Sequence, residues 1–326
     1  MMTDAFGRVH NYLRISLTDN CNLRCTYCMP EDDYDFTPVS QLMQPDEILT
    51  LAKIFVDAGV TKIRLTGGEP LVRKDAADII RLLSTLPVEL TMTTNATRLH
   101  LFIDVLKEAG LHSLNVSLDT LQADKFILLT KRDQFELTYR NIMLGLQEGF
   151  HMKVNVVVMK GVNENEINDF IALTRDMPLH VRFIEFMPFS GNHWSSNKVV
   201  TLDEMLQIIG AKYQFLPIQR AKHATTKGYQ IEGYAGTFAV ISTMSANFCG
   251  DCNRLRLTAD GKMKNCLFSK EETDLLTALR RGEDVLPLIL QSVQSKAKQL
   301  GGQMVSDFTH VDADAIKNRS MITIGG

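Results

Sequence analysis

No stretch of this 326-residue chain approaches eighteen consecutive apolar residues, so a membrane-spanning helix is not expected. The opening MMTDAFGRVHNYL lacks a basic segment followed by an apolar one, so no secretory signal is read there. Excess positive charge is missing too: 35 Lys and Arg face 38 Asp and Glu, for a net charge of −3. That balance argues against a broadly basic nucleic-acid binder, although a local cluster of cations can still serve a small anion. No Gly-x4-Gly-Lys-Ser/Thr loop occurs, and Gly261-Lys262 belongs to a hairpin turn, so a nucleotide would not be held as in P-loop proteins. Repeats and low-complexity tracts are absent. With 45% hydrophobic residues, the chain has ample material for a core, in one large domain or two smaller ones. The expectation is a soluble cytoplasmic protein that binds neither nucleic acid nor membrane.

Cysteine is scarce, and all six fall in two groups: Cys21, Cys25, Cys28 and then Cys249, Cys252, Cys266. In a cytosolic chain of this size, metal or cluster ligation is the natural use of such grouping. Three per group disfavours both internal disulfides and four-cysteine zinc sites. Thiolates spaced as CxxxCxxC can ligate three irons of a cubane cluster that normally takes four cysteines. The missing ligand leaves one coordination position for a cofactor or substrate, as in an open catalytic metal site. The alternative is a structural zinc loop completed from afar, by His10 or a second-group cysteine. In the second group, the Asp260-Gly261 turn signals a hairpin that returns Cys266 towards Cys252, so that trio can also converge. Zinc remains the alternative there as well.

From residue 11 to about 210, short β-branched runs alternate with helical patterns. The expected strands are Tyr12–Leu17, Lys62–Thr66, Glu89–Thr93, Ser113–Leu118, Lys153–Val158 and His180–Phe186. Helical periodicity occupies Pro45–Ala58, Asp75–Leu86, Leu99–Ala109, Phe135–Glu148 and Asn165–Arg175, with Gly59, Gly110 and Gly149 as terminators. Six such units imply an α/β fold on a parallel sheet, open or closed into a partial barrel. After Gly210 the pattern changes: short strands at Tyr213–Ile218, Tyr229–Ile231, Thr237–Ile241, Leu255–Thr258 and Met263–Leu267, then helices at Glu272–Arg280 and Asp284–Gln299. A smaller second module is expected there.

Ligand sites of parallel α/β folds form at the carboxyl ends of the strands. Here those ends carry the Cys21 loop, Thr66-Gly67-Gly68-Glu69-Pro70, Thr93-Thr94-Asn95, Ser117-Leu118-Asp119 and Glu185-Phe186-Met187. Any one is an ordinary turn; their accumulation marks a single site. Arg254 and Arg256, two apart on a strand, share a face and suit bidentate binding of phosphate. Arg14, Arg64, Lys153 and Arg182 lie in or beside expected strands, where a buried charge is costly unless paired. Either they form salt bridges inside the barrel, or they converge on a polyanionic substrate.

The Cys21–Cys28 loop, with Tyr27 just before its third cysteine, and the Gly67-Gly68-Glu69-Pro70 run resemble the radical S-adenosylmethionine superfamily. That resemblance implies that the open iron binds the amino and carboxylate groups of S-adenosylmethionine, and that the glycine-rich loop meets its ammonium. It also implies one-electron cleavage to a 5′-deoxyadenosyl radical. By the same pattern Tyr27, Gly68, Ser117 and Met187 line the cofactor pocket; Met187 alone would read as core. Within the superfamily, Arg14, Asn115–Asp119, Arg182–Met187, Phe248–Phe268 and the terminal Gly325-Gly326 resemble the GTP 3′,8-cyclase family of molybdenum-cofactor biosynthesis.

This narrower resemblance implies an incomplete (βα)6 TIM-type barrel over residues 1–210, closed by a C-terminal α+β module over residues 211–326. It implies two [4Fe-4S] clusters, the second binding the guanine of GTP. Arg14, Arg64, Thr93, Lys153, Arg254 and Arg256 would contact GTP, with Arg182 near the triphosphate. Abstraction of the ribose 3′ hydrogen and bonding of C3′ to C8 would give 3′,8-cyclo-7,8-dihydro-GTP. An electron donor and cyclic pyranopterin monophosphate synthase, which consumes the product, are the implied partners; a homodimer is left open. Arg254, Arg256, Gly325 and Gly326 carry the implied catalytic roles, the glycine tail entering the active site rather than fraying as termini usually do. One departure stands out: Ala96 occupies a position where many relatives have glycine, which strains the loop if φ is positive there. The rival readings are a peptide-modifying radical maturase, a two-cluster electron carrier and a zinc-dependent binding module.

Overall fold

The structure, a computed structural model, describes residues 1–29, 34–305 and 307–325. Six strands alternate with helices: β1 (Tyr12–Ser16), β2 (Lys62–Thr66), β3 (Glu89–Thr94), β4 (Ser113–Ser117), β5 (His151–Val158) and β6 (His180–Glu185). The helices are α1 (Pro45–Asp57), α2 (Ala76–Ser84), α3 (Ile103–Glu108), α4 (Ala123–Thr130), α5 (Phe135–Gln147), α6 (Ile167–Leu173) and α7 (Leu202–Gly210). Local chemistry fixes their starts. Pro45 opens α1, and the Gln44 N–H donates to Glu47 Oε2 at 2.7 Å; Thr201 and Glu204 form the reciprocal box at α7, with Thr201 N to Glu204 Oε2 at 2.7 Å. Gly59, Gly110 and Gly149 stop their helices at φ of 111°, 65° and 84°.

The rest of the chain adds β7 (Leu216–Pro217), β8 (Lys227–Gln230), β9 (Thr237–Ile241), β10 (Arg254–Leu257), β11 (Lys262–Lys264) and β12 (Thr273–Asp274). Helices α8 (Leu275–Arg280), α9 (Leu286–Gln294) and α10 (Met321–Ile324) complete it. All twelve strands form one sheet in the order β12-β11-β10-β1-β2-β3-β4-β5-β6-β9-β8-β7. The eight from β10 to β9 run parallel, because β10 joins β1 and β9 joins β6 in parallel register. The C-terminal strands thus extend both flanks of the six-unit sheet, which curls without closing into an incomplete barrel. Residues from opposite ends of the strand order, such as Arg254 and Ile241, line one cavity.

Each strand divides its residues between two faces. On the outer face Leu13, Ile15, Ile63, Leu65, Val181 and Phe183 are fully buried and pack with the helices as the main core. The inner face is polar: Tyr12 and Arg14 on β1, Lys62 and Arg64 on β2, Asn115 on β4, Lys153 and Asn155 on β5, Arg182 on β6. Strands of parallel sheets are ordinarily apolar on both faces. Here one face is spent on a lumen.

Two expectations need adjustment. The strand expected at Tyr213–Ile218 shrinks to Leu216–Pro217, since Tyr213 N bonds back to Ile209 O at 2.9 Å, and Phe215 packs edge-on against Phe238 at 5.3 Å. Side-chain packing replaces ladder pairing there. The stretch from Glu272 opens with a short strand, and α8 begins only at Leu275, where the Asp274 side chain accepts from Thr277 N at 2.9 Å.

Candidate active site

The Cys21–Cys28 loop leaves the carboxyl end of β1 and is held by the glycine run after β2. Gly68 N donates to Thr18 O at 2.6 Å and Glu69 N to Asn20 O at 2.8 Å. A Cβ on Gly67 would lie 2.6 Å from Thr18 O, and one on Gly68 2.4 Å from Asn20 O, so only glycine lets the two backbones approach. Glu69 is fully buried and accepts from Leu71 N, Thr94 Oγ1 and Asn95 N at 3.0, 2.7 and 2.6 Å. Burial nevertheless pushes its carboxyl up to about 7. Asn95 Nδ2 in turn donates to Cys21 Sγ at 3.7 Å, and Tyr27 Oη to Asp119 Oδ2 at 2.7 Å.

Cys21, Cys25 and Cys28 line one cavity together with Tyr27, Gly68 and Ser117; Met187 reaches it from the far side. Burial, then Glu69, raises the Cys21 thiol to about 11; burial and the neighbouring thiols push Cys25 and Cys28 well up. Three half-buried thiols that resist ionisation call for metal charge to hold them as thiolates. Among the described residues no fourth cysteine and no histidine lines the cavity. The donor set therefore fits an iron-sulfur cluster with one iron unligated by protein. Among the described residues no group of three or more His, Cys, Asp and Glu is placed to hold a single metal ion. His10 is spent elsewhere, its Nε2 lying 3.0 Å from Asp4 Oδ2.

A second cavity adjoins the first, sharing Thr93, Asn155, Ile184, Met187 and Met321 in its wall. It contains Cys249, Cys252 and Cys266, brought together by the β10–β11 hairpin, with Arg254 and Arg256 beside them. Burial would raise the Cys252 thiol, but Lys296 and Arg254 outweigh it and bring it below the ordinary range. A third cavity continues from the second through Arg14, Asn115, Arg182 and Arg254 to the amino ends of the strands, where Lys62, Arg64 and Lys153 line it. The three form one lumen, thiols at one end and cations at the other.

Register explains the cations. Arg64, Arg14 and Arg256 stand opposite one another on β2, β1 and β10. Tyr12 lies beneath them, its ring 5.8, 5.9 and 5.7 Å from the guanidinium carbons of Arg14, Arg64 and Arg254. Burial raises its phenol, yet Arg14 and Arg64 prevail and lower it to about 7. Arg64 Nε donates to Tyr12 Oη. Burial, reinforced by like charges, brings Arg182 and Arg256 down to about 9 and Lys153 to about 8.

Among the described residues no carboxylate lines the second or third cavity, and Arg14, Arg64, Lys153, Arg182, Arg254 and Arg256 make no salt bridge. Arg14 Nε, Arg182 Nε, and Arg254 Nε and Nη1 are buried without hydrogen bonds. The salt-bridge reading of these residues fails. Orphaned buried donors point to an absent polyanionic ligand.

The tail closes the thiol end. Arg319 pairs with Asp260 at 2.9 Å and Glu272 at 2.6 Å, after which Met321 and Ile322 enter the cavity wall. Gly325, at φ 84°, packs against Ser16 and Thr66, and its carbonyl accepts from Arg256 Nη1. Gly326 lies outside the described residues. Apart from Gly325, which reaches Arg256 through its carbonyl, every other site residue read from the sequence lines this lumen. Tyr12 and Lys62 were missed, though each stands two residues before a noted arginine on the same strand face. Asp119 was quoted within a motif without its role as the partner of Tyr27.

Residues 15–174 match the radical SAM superfamily, and residues 179–301 match the Molybdenum Cofactor Synthesis C family. Fold and thiol loop together thus make this a radical S-adenosylmethionine protein. In fold it is similar to Streptococcus suis SuiB bound to S-adenosylmethionine, at TM-score 0.61 and 14% identity, over 97% of this chain and 74% of that one. An Arabidopsis thaliana relative, "GTP 3′,8-cyclase, mitochondrial", is 45% identical over 100% of this chain and 84% of its own length. A Listeria monocytogenes "GTP 3′,8-cyclase" is 40% identical over 91% of each. The mouse "Molybdenum cofactor biosynthesis protein 1" is 46% identical over 99% of this chain and 51% of its own length, so the chain spans about half of that relative. The chain belongs to the GTP 3′,8-cyclase family. Among the described residues no helix is long and apolar enough to cross a membrane.

Proposed function

We propose that this chain converts GTP to 3′,8-cyclo-7,8-dihydro-GTP, the first step of molybdenum-cofactor biosynthesis. The observation that carries the reading is the set of orphaned guanidinium nitrogens of Arg14, Arg182 and Arg254 in the cavities beside the second thiol trio, where no carboxylate is found among the described residues. Cys21, Cys25 and Cys28 hold one [4Fe-4S] cluster, and Cys249, Cys252 and Cys266 a second. When bound and reduced, the first supplies the electron that cleaves S-adenosylmethionine to methionine and a 5′-deoxyadenosyl radical. Tyr27, Gly68, Ser117 and Met187 line the cofactor's pocket and shield it from water.

Arg14, Arg64, Lys153 and Arg182 bind the triphosphate, Thr93 bounds the ribose between the two trios, and Arg254 and Arg256 orient the guanine end. Gly325 brings its carbonyl to Arg256 where a side chain would not fit, and Gly325 and Gly326 together form the catalytic tail. Residues 1–210 serve as the radical-generating part and 211–326 as the base-binding part. An electron donor and cyclic pyranopterin monophosphate synthase complete the partners, and the six unpaired cysteines favour a reducing, cytoplasmic setting.

The test is anaerobic incubation with GTP, S-adenosylmethionine and dithionite. Cyclised GTP and 5′-deoxyadenosine in step are expected; 5′-deoxyadenosine with intact GTP would remove the substrate assignment and leave the radical class standing. Deleting Gly325 and Gly326 should abolish turnover with iron content unchanged.

A further inference from the structure

The two thiol trios sit in opposite electrostatic surroundings. Near the first, the buried acids Glu69 and Asp119 face the sulfurs, the one neighbouring cation, Arg24, is bonded to the Cys21 carbonyl rather than to a sulfur, and the donors to sulfur are neutral: Leu23 N at 3.4 Å and Asn95 Nδ2 at 3.7 Å, both to Cys21. Near the second lies a buried ammonium. Lys296, only 3% exposed, donates to Cys252 Sγ at 3.7 Å and to the Arg254 carbonyl at 2.9 Å, and it has no carboxylate partner among the described residues. Four residues on, Leu300 N donates to Cys249 Sγ at 3.5 Å.

The same segment is pinned from the other side. Arg8, fixed by Asp4 at 2.6 Å, donates to the carbonyls of Cys249, Lys298 and Ala297 at 2.9, 2.8 and 2.9 Å. Residues 296–300 are therefore a built wall against the second trio. A lysine is costly to bury, and among the described residues the one ionisable group within bonding distance of this lysine is a cysteine sulfur.

We infer that Lys296 is a positioning residue of the second thiol site, its ammonium holding the Cys252 sulfur and the start of β10 together and raising the reduction potential of the cluster there above that of the first. Hydrogen bonds to sulfur and nearby positive charge stabilise the reduced, more negative state of an iron-sulfur cluster. The first trio, with acidic neighbours, is biased the other way, towards the low potential that cleaving a sulfonium requires. Because Lys296 also bonds the Arg254 carbonyl, the charge that tunes the sulfur is coupled to the strand carrying both lumen arginines.

This inference rests on the two-cluster reading, and the experiment separates the two. The full chain, Lys296→Met and Lys296→Arg are reconstituted anaerobically. Iron and sulfide are assayed, and each cluster is followed by potentiometric titration with electron paramagnetic resonance. Two distinct midpoints are expected in the unaltered chain. In Lys296→Met the upper one should move down towards the other, which stays fixed, and Lys296→Arg should return it most of the way. Selective iron loss in Lys296→Met that Lys296→Arg repairs supports the same role, through the sulfur bond. About four irons in the unaltered chain would overturn the two-cluster reading and this inference with it. About eight irons with an unmoved upper midpoint in Lys296→Met would overturn this inference alone.

Discussion

Arg182→Met discriminates a lumen built for an anion from one that merely tolerates charge. The guanidinium of Arg182 is buried near Arg64, Arg14 and Arg254, has no carboxylate partner among the described residues, and makes one bond, Nη2 to Asn115 Oδ1 at 2.6 Å. Methionine keeps an unbranched stem and removes the charge. Exchanging buried ionic groups for apolar ones of similar volume often stabilises by about 1–4 kcal/mol. Against that stands Asn115 Oδ1, whose lost partner costs about 1 kcal/mol beside a lumen that admits water. A net gain of up to about 3 kcal/mol is expected for the unliganded chain, and no net loss.

With GTP the sign reverses. Losing a charge-assisted bond of about 1.5–3 kcal/mol weakens binding by roughly 10- to 150-fold. At GTP 100 times the unaltered dissociation constant, the native chain gains about 2.7 kcal/mol, and a variant binding about 50-fold more weakly gains about 0.6 kcal/mol. Anaerobic urea titrations of both proteins, with and without GTP, read all four stabilities. A variant less stable than the native chain without GTP, and equally stabilised by it, would show that Arg182 serves the fold and would refute the reasoning.

Three further outcomes follow from the same geometry. Burial, with Arg182 and Arg64 nearby, holds folded Lys153 near 8 against an ordinary 10.5, so its stability penalty is complete below about 8 and fades as pH rises towards 10.5. Lys153→Met should therefore exceed the native chain in unliganded stability most at pH 7, with the difference shrinking steadily between pH 8 and 10; a pH-independent difference would contradict this. Glu185 accepts from Leu202 N, Met244 N and Ser245 N at 2.9, 2.7 and 3.0 Å, so Glu185→Gln should cost about 2–4 kcal/mol of stability, read in a urea titration, having turned an amide towards buried N–H groups. Arg319→Ala unties the tail from Asp260 and Glu272, and carboxypeptidase should then shorten the chain faster while the rest resists; unchanged trimming would dismiss the tether.

The six barrel strands were readable because each is a short β-branched run ending in polar or glycine residues, and both ends of that pattern are local. The thiol trios were readable from spacing alone. What escaped was non-local. Nothing in Arg254–Leu257 announces that it lies beside Tyr12–Ser16, about 240 residues away, yet that pairing sets Arg14 against Arg256. Lys296 has no spacing relation to Cys252 and follows a helix that reads as ordinary. Helix α4, with Leu128 exposed, and α7 were not singled out. Ala96 is the converse case. It does adopt φ 61°, and the loop holds it there through Thr94 Oγ1 accepting from Ala96 N at 3.0 Å and Asn141 Nδ2 donating to Ala96 O at 2.7 Å.

The two-faced strand carries a consequence for how such a chain can change over time. In Tyr12–Ser16 the residues at 13 and 15 answer to the helices outside, and those at 12, 14 and 16 to whatever occupies the lumen. Two selective demands are interleaved at single-residue spacing, so neither constrains the other's alphabet. A lineage could exchange the inward set for a different ligand and keep its folding instructions intact, which makes the strand register, rather than any one residue, the inherited invention.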